Sequence, residues 1–285
     1  MQQLCTSSGD FLIGLESTET AAFSQPVTFR EYAVFYVADG KGVFYSDFGA
    51  FPFEGPTLLF ATPLQLISMK SKTVFPIRFL RFHGDFYCIE YHRKEVACNG
   101  LLFNNIYLEP SVVLTDREIG IIERIQDDIA DELRQPEPAE MVLRAYLQLF
   151  LAKASQLKIK SLNNPIHAIP RDESMEQFKQ LLEQHYLELR KPHEYASLLA
   201  MSPNTLTKRC RRYFKKSPSA LIQERFILEA KKQLHLTRKS IKEIAWALKF
   251  EDEFYFSRVF KKFTNISPQA FRDQTGISIV ADLSM

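Results

Sequence analysis

Apolar residues in the first part of the chain form short runs that turn residues and prolines separate. The runs are Tyr32–Val37, Val43–Ser46, Thr57–Ala61, Gln65–Met69, Arg78–Phe82 and Phe86–Tyr91. Asp39-Gly40 lies between the first two runs and favours a β-hairpin, because glycine accepts the positive φ that such a turn needs. Short strands with turn signals at this interval predict an antiparallel sandwich or barrel.

From about residue 114 the apolar spacing becomes helical. Isoleucines and a leucine recur at intervals of 3, 3, 4 and 4 residues over Asp116–Arg134, with Thr115 or Asp116 as the N-cap. A second helix, Ala139–Lys160, follows a break that contains prolines, so a helical hairpin is predicted. The hairpin either packs against the β-rich part or forms a dimerisation surface, and the sequence favours neither. The residues assigned to that interface, or to the core behind it, are Ile122, Ile125, Ile129, Tyr146 and Leu149.

The last third of the chain is predicted to be helical throughout. Ser161–Ser174 contains two prolines and two asparagines without apolar periodicity, which is typical of an interdomain linker. Serine or aspartate N-caps, three of them followed by proline at the first helical position, mark most of the later helix starts. These caps are Ser174, Ser202, Ser217, Ser240, Asp252 and Ser267. The predicted helices are Met175–Leu187, His193–Ala200, Pro203–Phe214, Pro218–Leu234, Ile241–Lys249, Glu253–Phe263 and Pro268–Gln274.

The helical part contains an internal repeat. At a shift of 50 residues the aligned pairs are Leu206–Lys208 with Phe256–Arg258, Cys210–Tyr213 with Phe260–Phe263, and Ser217-Pro218 with Ser267-Pro268. Each copy consists of a short helix, a tight turn and a second helix with basic residues on one face, which is a helix-turn-helix outline. Because the major groove of B-DNA admits one helix, two recognition helices, about 203–214 and 253–263, are predicted to enter successive major-groove segments.

The charge distribution supports this interpretation. The formal net charge of +2 combines −5 over residues 1–172 with +7 over residues 173–285. Such an asymmetry indicates nucleic-acid or anionic-surface binding by the basic part. The polar faces contain Thr207, Lys208, Arg211, Arg212 and Lys215 in the first copy, and Ser257, Arg258, Lys261 and Lys262 in the second. A helical bundle with a solvated basic face is the structural alternative, but the duplication and the local charge favour DNA binding.

The segments IKEIA (241–245), FEDEFYFSRVFKK (250–262) and ISPQAFR (266–272) resemble the C-terminal signature of the AraC/XylS family of bacterial transcriptional regulators. The resemblance implies a double helix-turn-helix unit, joined by the long helix 218–234, that binds double-stranded DNA. Carried over position by position, the base-contact candidates are Asn204, Thr207, Lys208, Glu253, Phe254, Ser257 and Arg258. The phosphate candidates are Arg211, Arg212, Lys215, Lys261 and Lys262. The chain departs from the family at Lys215, Lys249 and Asn265, where glycine is usual, and at Cys210, where phenylalanine is usual.

The β-rich front with its hairpin is similar to the cupin-like regulatory and dimerisation domain of many family members. The expected fold is therefore α+β, with a cupin-like antiparallel β-barrel and helical hairpin followed by an all-α domain. The expected boundaries are 1–112 (β domain), 113–161 (hairpin), 162–173 (linker), 174–275 (DNA-binding domain) and 276–285 (tail). The resemblance further implies a small-molecule effector in the front domain and a cytoplasmic homodimer. Activation and repression both stay open, and an activator would also contact RNA polymerase.

The alternative function is a cupin-type metalloenzyme with a helical appendage. That chemistry needs two or three histidines and a carboxylate around one ion. Residues 1–112 contain only His83 and His92, which are not paired, and His83 is expected to be structural or solvated. The four cysteines lack zinc-ligand spacing, and no apolar run approaches the ~18 residues of a membrane span. The sequence therefore predicts no metal, no cofactor, no enzymatic activity and no membrane partner.

Overall fold

The computed structural model of the chain describes residues 2–47, 49–87, 89, 100–162 and 172–277. The chain separates into two compact units. The N-terminal unit comprises Met1–Asn105 and Glu109–His167, and the C-terminal unit comprises Ile106–Leu108 and Ala168–Met285.

The described strands of the N-terminal unit form two antiparallel sheets. They are β1 (Gln2–Cys5), β2 (Phe11–Glu19), β3 (Tyr32–Val37), β4 (Lys41–Ser46), β5 (Gly49–Glu54), β6 (Thr57–Ala61), β7 (Ile67–Ser71), β8 (Pro76–Phe82) and β9 (Ser111–Val113). One sheet has the order β1-β2-β8-β3-β6-β9 and the other β5-β4-β7. The antiparallel β architecture is confirmed, but the predicted closed barrel is wrong for the described residues, because the two sheets face each other as separate layers.

The hairpin predicted at Asp39-Gly40 is also wrong. A turn does form there, with φ 117° at Gly40, but β3 pairs with β6 and β8 while β4 pairs with β5 and β7. The chain therefore crosses from one sheet to the other at this turn. The reason lies in β3 itself, in which all six residues are buried, so that it needs strand neighbours on both edges and apolar layers on both faces.

The two faces of β3 contact different layers. Tyr32, Val34 and Tyr36 belong to a core shared with the helical hairpin, whereas Phe35 and Val37 belong to the core between the two sheets. The inter-sheet core is filled by aromatic rings, among which Phe35 stacks on Phe79 with their centroids 4.7 Å apart. The predicted strand Phe86–Tyr91 is wrong at Phe86 and Tyr87, which lie in a turn, and Cys88, Glu90 and Tyr91 lie outside the described residues.

The helical hairpin consists of α1 (Asp116–Leu133) and α2 (Glu140–Leu162) and covers the outer face of the six-stranded sheet. Thr115 and Glu118 form the capping box of α1, which confirms Thr115 as the N-cap. Among the dimerisation candidates, Ile122, Ile125 and Ile129 are buried inside this unit's own core, and Tyr146 packs against that core. These four residues therefore belong to the core behind the helices, because their apolar side chains are already covered by the sheet. Leu149, with 45% of its surface exposed, lies on the outer face.

The described part of the C-terminal unit contains seven helices, as predicted. They are α3 (Glu173–His185), α4 (Pro192–Leu198), α5 (Pro203–Tyr213), α6 (Pro218–Leu236), α7 (Ile241–Ala247), α8 (Glu253–Thr264) and α9 (Pro268–Thr275). The predicted caps of α5 to α9 are confirmed, since each cap side chain accepts a backbone N–H of its helix. The exception is α3, whose N-cap is Asp172 and not Ser174. Most of the predicted linker, residues 163–171, lies outside the described residues, as do residues 278–285 of the predicted tail.

Two apolar clusters hold the C-terminal unit together. Around the first motif, Phe178, Tyr195, Leu206 and Cys210 are fully buried, and Ile106 joins this cluster with 8% of its surface exposed. This burial explains why Ile106–Leu108 belong to the C-terminal unit, although the sequence places them within the predicted front domain 1–112. Around the second motif, the rings of Phe226, Phe250, Phe256, Phe260 and Phe271 contact one another.

Candidate nucleic-acid interface

The C-terminal unit contains the same helix-turn-helix geometry twice. The turns lie at Ala200, between α4 and α5, and at Lys249, between α7 and α8, with left-handed φ values of 50° and 60°. Both turns close in the same way, because the N–H of Met201 donates to Ala196 and the N–H of Phe250 donates to Ala245. The repeat in the sequence is therefore a repeat in backbone geometry.

The two second helices also end alike. The left-handed positions after α5 and α8 are Lys215, with φ 59°, and Asn265, with φ 63°. A residue with a Cβ atom is disfavoured in this conformation, and asparagine tolerates it better than lysine. Lys215, Lys249 and Asn265, where the resemblance leads one to expect glycine, thus keep the backbone that glycine would favour.

We expect Lys215→Gly and Lys249→Gly each to stabilise the C-terminal unit. Relief of the left-handed backbone at each site is worth about 1 kcal/mol, which corresponds to a rise of a few degrees in Tm. The measurement is thermal unfolding followed by the fluorescence of Trp246, the only tryptophan of the chain. Lys242→Gly, within helix α7 at an exposed position, is the matched control and should lower Tm. A lower Tm for Lys249→Gly would contradict the assigned strain.

Helix α5 presents a polar face to solvent. Leu206 and Cys210 are fully buried beneath it, so the opposite side of the helix must face outward. Asn204 and Lys208 are exposed, and the half-buried Thr207 donates its hydroxyl to the carbonyl of Pro203 at 2.9 Å. Farther along the same side, Arg211, Arg212 and Lys215 are exposed.

Helix α8 repeats this arrangement. Phe256 and Phe260 are fully buried, while Arg258 and Phe254 point outward, the latter with 70% of its surface exposed. Asp252 caps the helix by accepting the N–H groups of Phe254 and Tyr255, both at 3.0 Å. The remaining predicted residues of this face are Glu253 and Ser257, which are half-buried, and Lys261 and Lys262, which are exposed.

The cations of the C-terminal unit fall into two groups that sequence alone does not separate. One group serves the fold: Arg209 pairs with Asp172, Lys216 with Glu224, and Arg225 with Glu183 and Glu229. The other group has no carboxylate within 4.0 Å in the part of the chain that the structure describes. Its members on α5 and α8 or directly after α5 are Lys208, Arg211, Arg212, Lys215, Arg258, Lys261 and Lys262. Cations that are exposed and unpaired on two equivalent helical faces can bind an anionic polymer such as DNA.

The buried carboxylate of Asp172 holds helix α5 in place. The carboxylate of Asp172 accepts hydrogen bonds from Nε and Nη2 of Arg209 at 3.0 and 2.8 Å. The same carboxylate caps α3. Its side chain is only 6% exposed, whereas that of Arg209 is 39% exposed. Because Arg209 lies on α5, this bidentate pair fixes α5 against α3.

Two exposed aromatic residues near the interface were not predicted. Trp246 on α7 is 55% exposed, with Nζ of Lys242 4.9 Å from its ring centroid, and Tyr255 on α8 is 53% exposed. Both occupy positions that helical periodicity assigns to the solvent side. Large aromatic residues at solvent-facing helical positions are the sequence feature that would have indicated a contact surface here.

The described residues contain no candidate metal site. No group of three histidine, cysteine, aspartate or glutamate side chains there could hold a metal ion. The side chain of His83 accepts the N–H of Asp85 through Nδ1 at 3.2 Å, and His92 lies outside the described residues. None of the helices that the structure describes is long and apolar enough to cross a membrane.

Comparison with known proteins finds matches to the part of the chain that carries this geometry. Residues 195–274 match a family model described as a helix-turn-helix domain. The arabinose operon regulatory protein of Escherichia coli (strain K12) is 30% identical over 118 residues, which are 40% of this chain and 39% of that protein. The chain therefore matches about two fifths of the length of this curated relative.

Solved structures of similar proteins include one that extends over most of the chain. ToxT from Vibrio cholerae is 15% identical with a TM-score of 0.39, and the match covers 92% of this chain and 98% of that one. The C-terminal domain of AraT, a response regulator from Geobacillus stearothermophilus, is 25% identical with a TM-score of 0.36. That match covers 39% of this chain and 93% of the AraT domain.

Proposed function

We propose that this chain, which carries a helix-turn-helix domain of the AraC type at residues 195–274, is a sequence-specific DNA-binding transcriptional regulator. The observation that carries the proposal is the pair of equivalent helices, α5 and α8, each with exposed cations that lack carboxylate partners in the described structure. A solvated basic face would not need two copies of one turn geometry, whereas two recognition helices would. The curated relative named above is the regulatory protein of an operon, which favours this function over the metalloenzyme alternative.

The proposed division of labour follows from side-chain chemistry. Arg258 can bond O6 and N7 of one guanine in a bidentate manner, and Phe254 can contact a thymine methyl group. Asn204, Thr207, Lys208, Glu253 and Ser257 complete the proposed base-reading faces. Arg211, Arg212, Lys215, Lys261 and Lys262 are assigned to phosphates, which set the position of the protein on DNA without specifying sequence.

The experiment that tests the function is selection of duplexes from a random DNA pool with the purified full chain. A regulator should enrich a motif with two parts, one for each recognition helix, and should bind it with an affinity that falls steeply as salt rises. Enrichment of no motif, with equal affinity for all duplexes, would overturn the proposal.

Arg258→Ala is expected to reduce discrimination between the selected site and random DNA. A bidentate contact to guanine is worth about 1–3 kcal/mol of discrimination, so the ratio of the two binding constants should fall roughly tenfold or more. The measurement is a titration of both duplexes at one fixed salt concentration. Lys261→Ala is the matched control, because a phosphate contact should weaken both duplexes alike. Equal losses on both duplexes for Arg258→Ala would contradict the assigned role.

We also propose that a small-molecule effector binds the N-terminal unit. A cleft of about 250 Å³ lies between β2, β8 and α1, and its lining includes Arg78, Arg134 and Asp127. This lining favours a polar or charged compound over an apolar one. The inter-sheet core supports the same preference, since Phe23, Phe35 and Phe79 occupy it in ring contact.

The solvent-exposed side of the helical hairpin, α1 and α2, supports a proposed homodimer. Beside Leu149, the side chains of Met141, Val142 and Ile121 are exposed on α1 and α2. Burial of these residues against a second copy would remove their exposed apolar side chains from water. Sedimentation of the purified chain measures this directly. As a regulator, the protein would act in the cytoplasm where it meets DNA, and as an activator it would also contact RNA polymerase.

A further inference from the structure

One cation of the C-terminal unit, the exposed Arg190, joins the two helix-turn-helix motifs through its contacts. Arg190 lies two residues before α4, and its backbone N–H donates to Oε2 of Glu194 at 2.9 Å. The N–H of Lys191 donates to the same oxygen at 2.7 Å. The backbone of Arg190 is therefore fixed to the first helix of the first motif.

The side chain of Arg190 reaches the turn of the second motif. Its Nη2 donates to the carbonyl of Leu248 at 2.8 Å and to that of Lys249 at 3.4 Å. These carbonyls lie at the end of α7, at the residue whose left-handed φ makes the turn. Arginine can bond the last carbonyls of a helix and complement its dipole.

The same guanidinium also lies against the aromatic core of the second motif. Its central carbon is 4.1 Å from the ring centroid of Phe250 and 5.5 Å from that of Phe226. The ring of Phe250 in turn lies 5.5 Å from that of Phe256, which is buried beneath helix α8. Burial lowers the pKa of Arg190, and the group stays charged at any physiological pH.

We infer that Arg190 is a positioning residue that sets the orientation of the second recognition helix relative to the first, and hence the spacing of the two DNA subsites. The inference rests on the proposed function. Helix α6 connects the motifs covalently, but a single helix can bend, and a contact that ties the α3–α4 turn to the α7–α8 turn limits that freedom. Although Arg190 is exposed, its guanidinium bonds the carbonyl of Leu248 and lies over the ring of Phe250, so we assign its effect on DNA binding to the position of α8.

The test compares the full chain with Arg190→Met and Arg190→Lys. Duplexes selected by the wild type are resynthesised with one base pair inserted into or deleted from the spacer between the two parts of the motif. The wild type should lose about tenfold or more in affinity for these duplexes, because one set of base contacts is misplaced. Arg190→Met should lose only a few-fold, and Arg190→Lys should be intermediate, since lysine keeps the charge without the planar fork.

Arg225→Met is the control for a general loss of stability. Arg225 is a half-buried arginine of the same unit that stacks on Tyr186 and pairs with Glu183, and its contacts do not include the second turn. This variant should keep the wild-type dependence on spacing, even if its Tm falls. Retention of the wild-type dependence by Arg190→Met, or its equal loss in Arg225→Met, would overturn the inference.

A second readout does not require DNA. Trp246 lies two residues before Leu248, so the decay of its fluorescence anisotropy reports the mobility of the α7 end. Arg190→Met should add a fast component to that decay, and Arg225→Met should not. If the wild type selects no DNA motif, the proposed function fails, whereas the anisotropy still decides whether Arg190 positions the second motif. An unchanged decay in Arg190→Met would overturn the positioning role.

Discussion

Replacing Arg211, Arg212, Lys261 and Lys262 together by glutamine is expected to abolish high-affinity DNA binding and to leave the fold intact. All four side chains are exposed, and none has a carboxylate partner in the described part of the chain, so no ion pair is lost with them. Each phosphate contact contributes about −0.9 to the slope of log K, the logarithm of the binding constant, plotted against the logarithm of the salt concentration. Loss of four contacts should therefore reduce the binding constant roughly 10³-fold at about 0.1 M salt.

The measurement is a titration of the selected duplex over a series of salt concentrations. The slope of log K against log salt should become shallower by roughly 3.6 in the variant. The matched control replaces four exposed bases of the N-terminal unit, Lys41, Lys72, Arg117 and Arg124, by glutamine. Both variants change the net charge equally. An equal loss of affinity in the control would mean that total charge, and not the two helical faces, governs binding.

Asp172→Ala is expected to destabilise the C-terminal unit by about 3 kcal/mol, since it removes a helix cap together with a bidentate ion pair. The cap satisfies the N–H groups of Ser174 and Met175. The ion pair joins α3 to the recognition helix α5 through Arg209. Urea unfolding followed by Trp246 fluorescence measures this unit specifically, because the only tryptophan lies within it.

Asp252→Ala separates the two contributions. Asp252 caps α8 through the N–H groups of Phe254 and Tyr255, and it is exposed, with no arginine bonded to it in the described structure. Its loss should cost about 1 kcal/mol, the value of a cap alone. The additional loss of unfolding free energy in Asp172→Ala is then the contribution of the ion pair with Arg209. A double-mutant cycle with Arg209→Met should give the same value as the coupling energy between the two residues. Equal losses for the two aspartates would show that the buried pair contributes nothing.

The helical half was predictable because its signals are local. A cap such as Ser202 followed by Pro203 specifies a helix start within two or three residues, whatever the tertiary structure. Buried positions such as Leu206 and Phe256 then follow from the 3.6-residue period. The exception at α3 has the same local origin, since Asp172 and Ser174 are both competent caps, and the bond to Arg209 that favours Asp172 comes from 37 residues away.

The β half was predictable only in part, because strand pairing is not local. Asp39-Gly40 turns the chain as expected, but whether β3 and β4 then pair depends on the partners that β6, β7 and β8 offer. Strand β5 was missed because Pro52 interrupts its apolar run, and it is tolerated there because β5 lies at the edge of its sheet. Periodicity also could not separate the cations that bind carboxylates, such as Arg225, from those that face solvent.

The presence of Ile106 in the core of the C-terminal unit bears on how the chain is made. Ile106 packs with Phe178, Leu206 and Leu221, and its carbonyl accepts Nζ of Lys216 at 3.2 Å. On the ribosome, Ile106 is therefore synthesised more than a hundred residues before the last of these partners. The C-terminal unit cannot complete its own core without that earlier segment. The interior of this helix-turn-helix unit therefore includes a segment that lies, in the sequence, between the two stretches of the N-terminal unit.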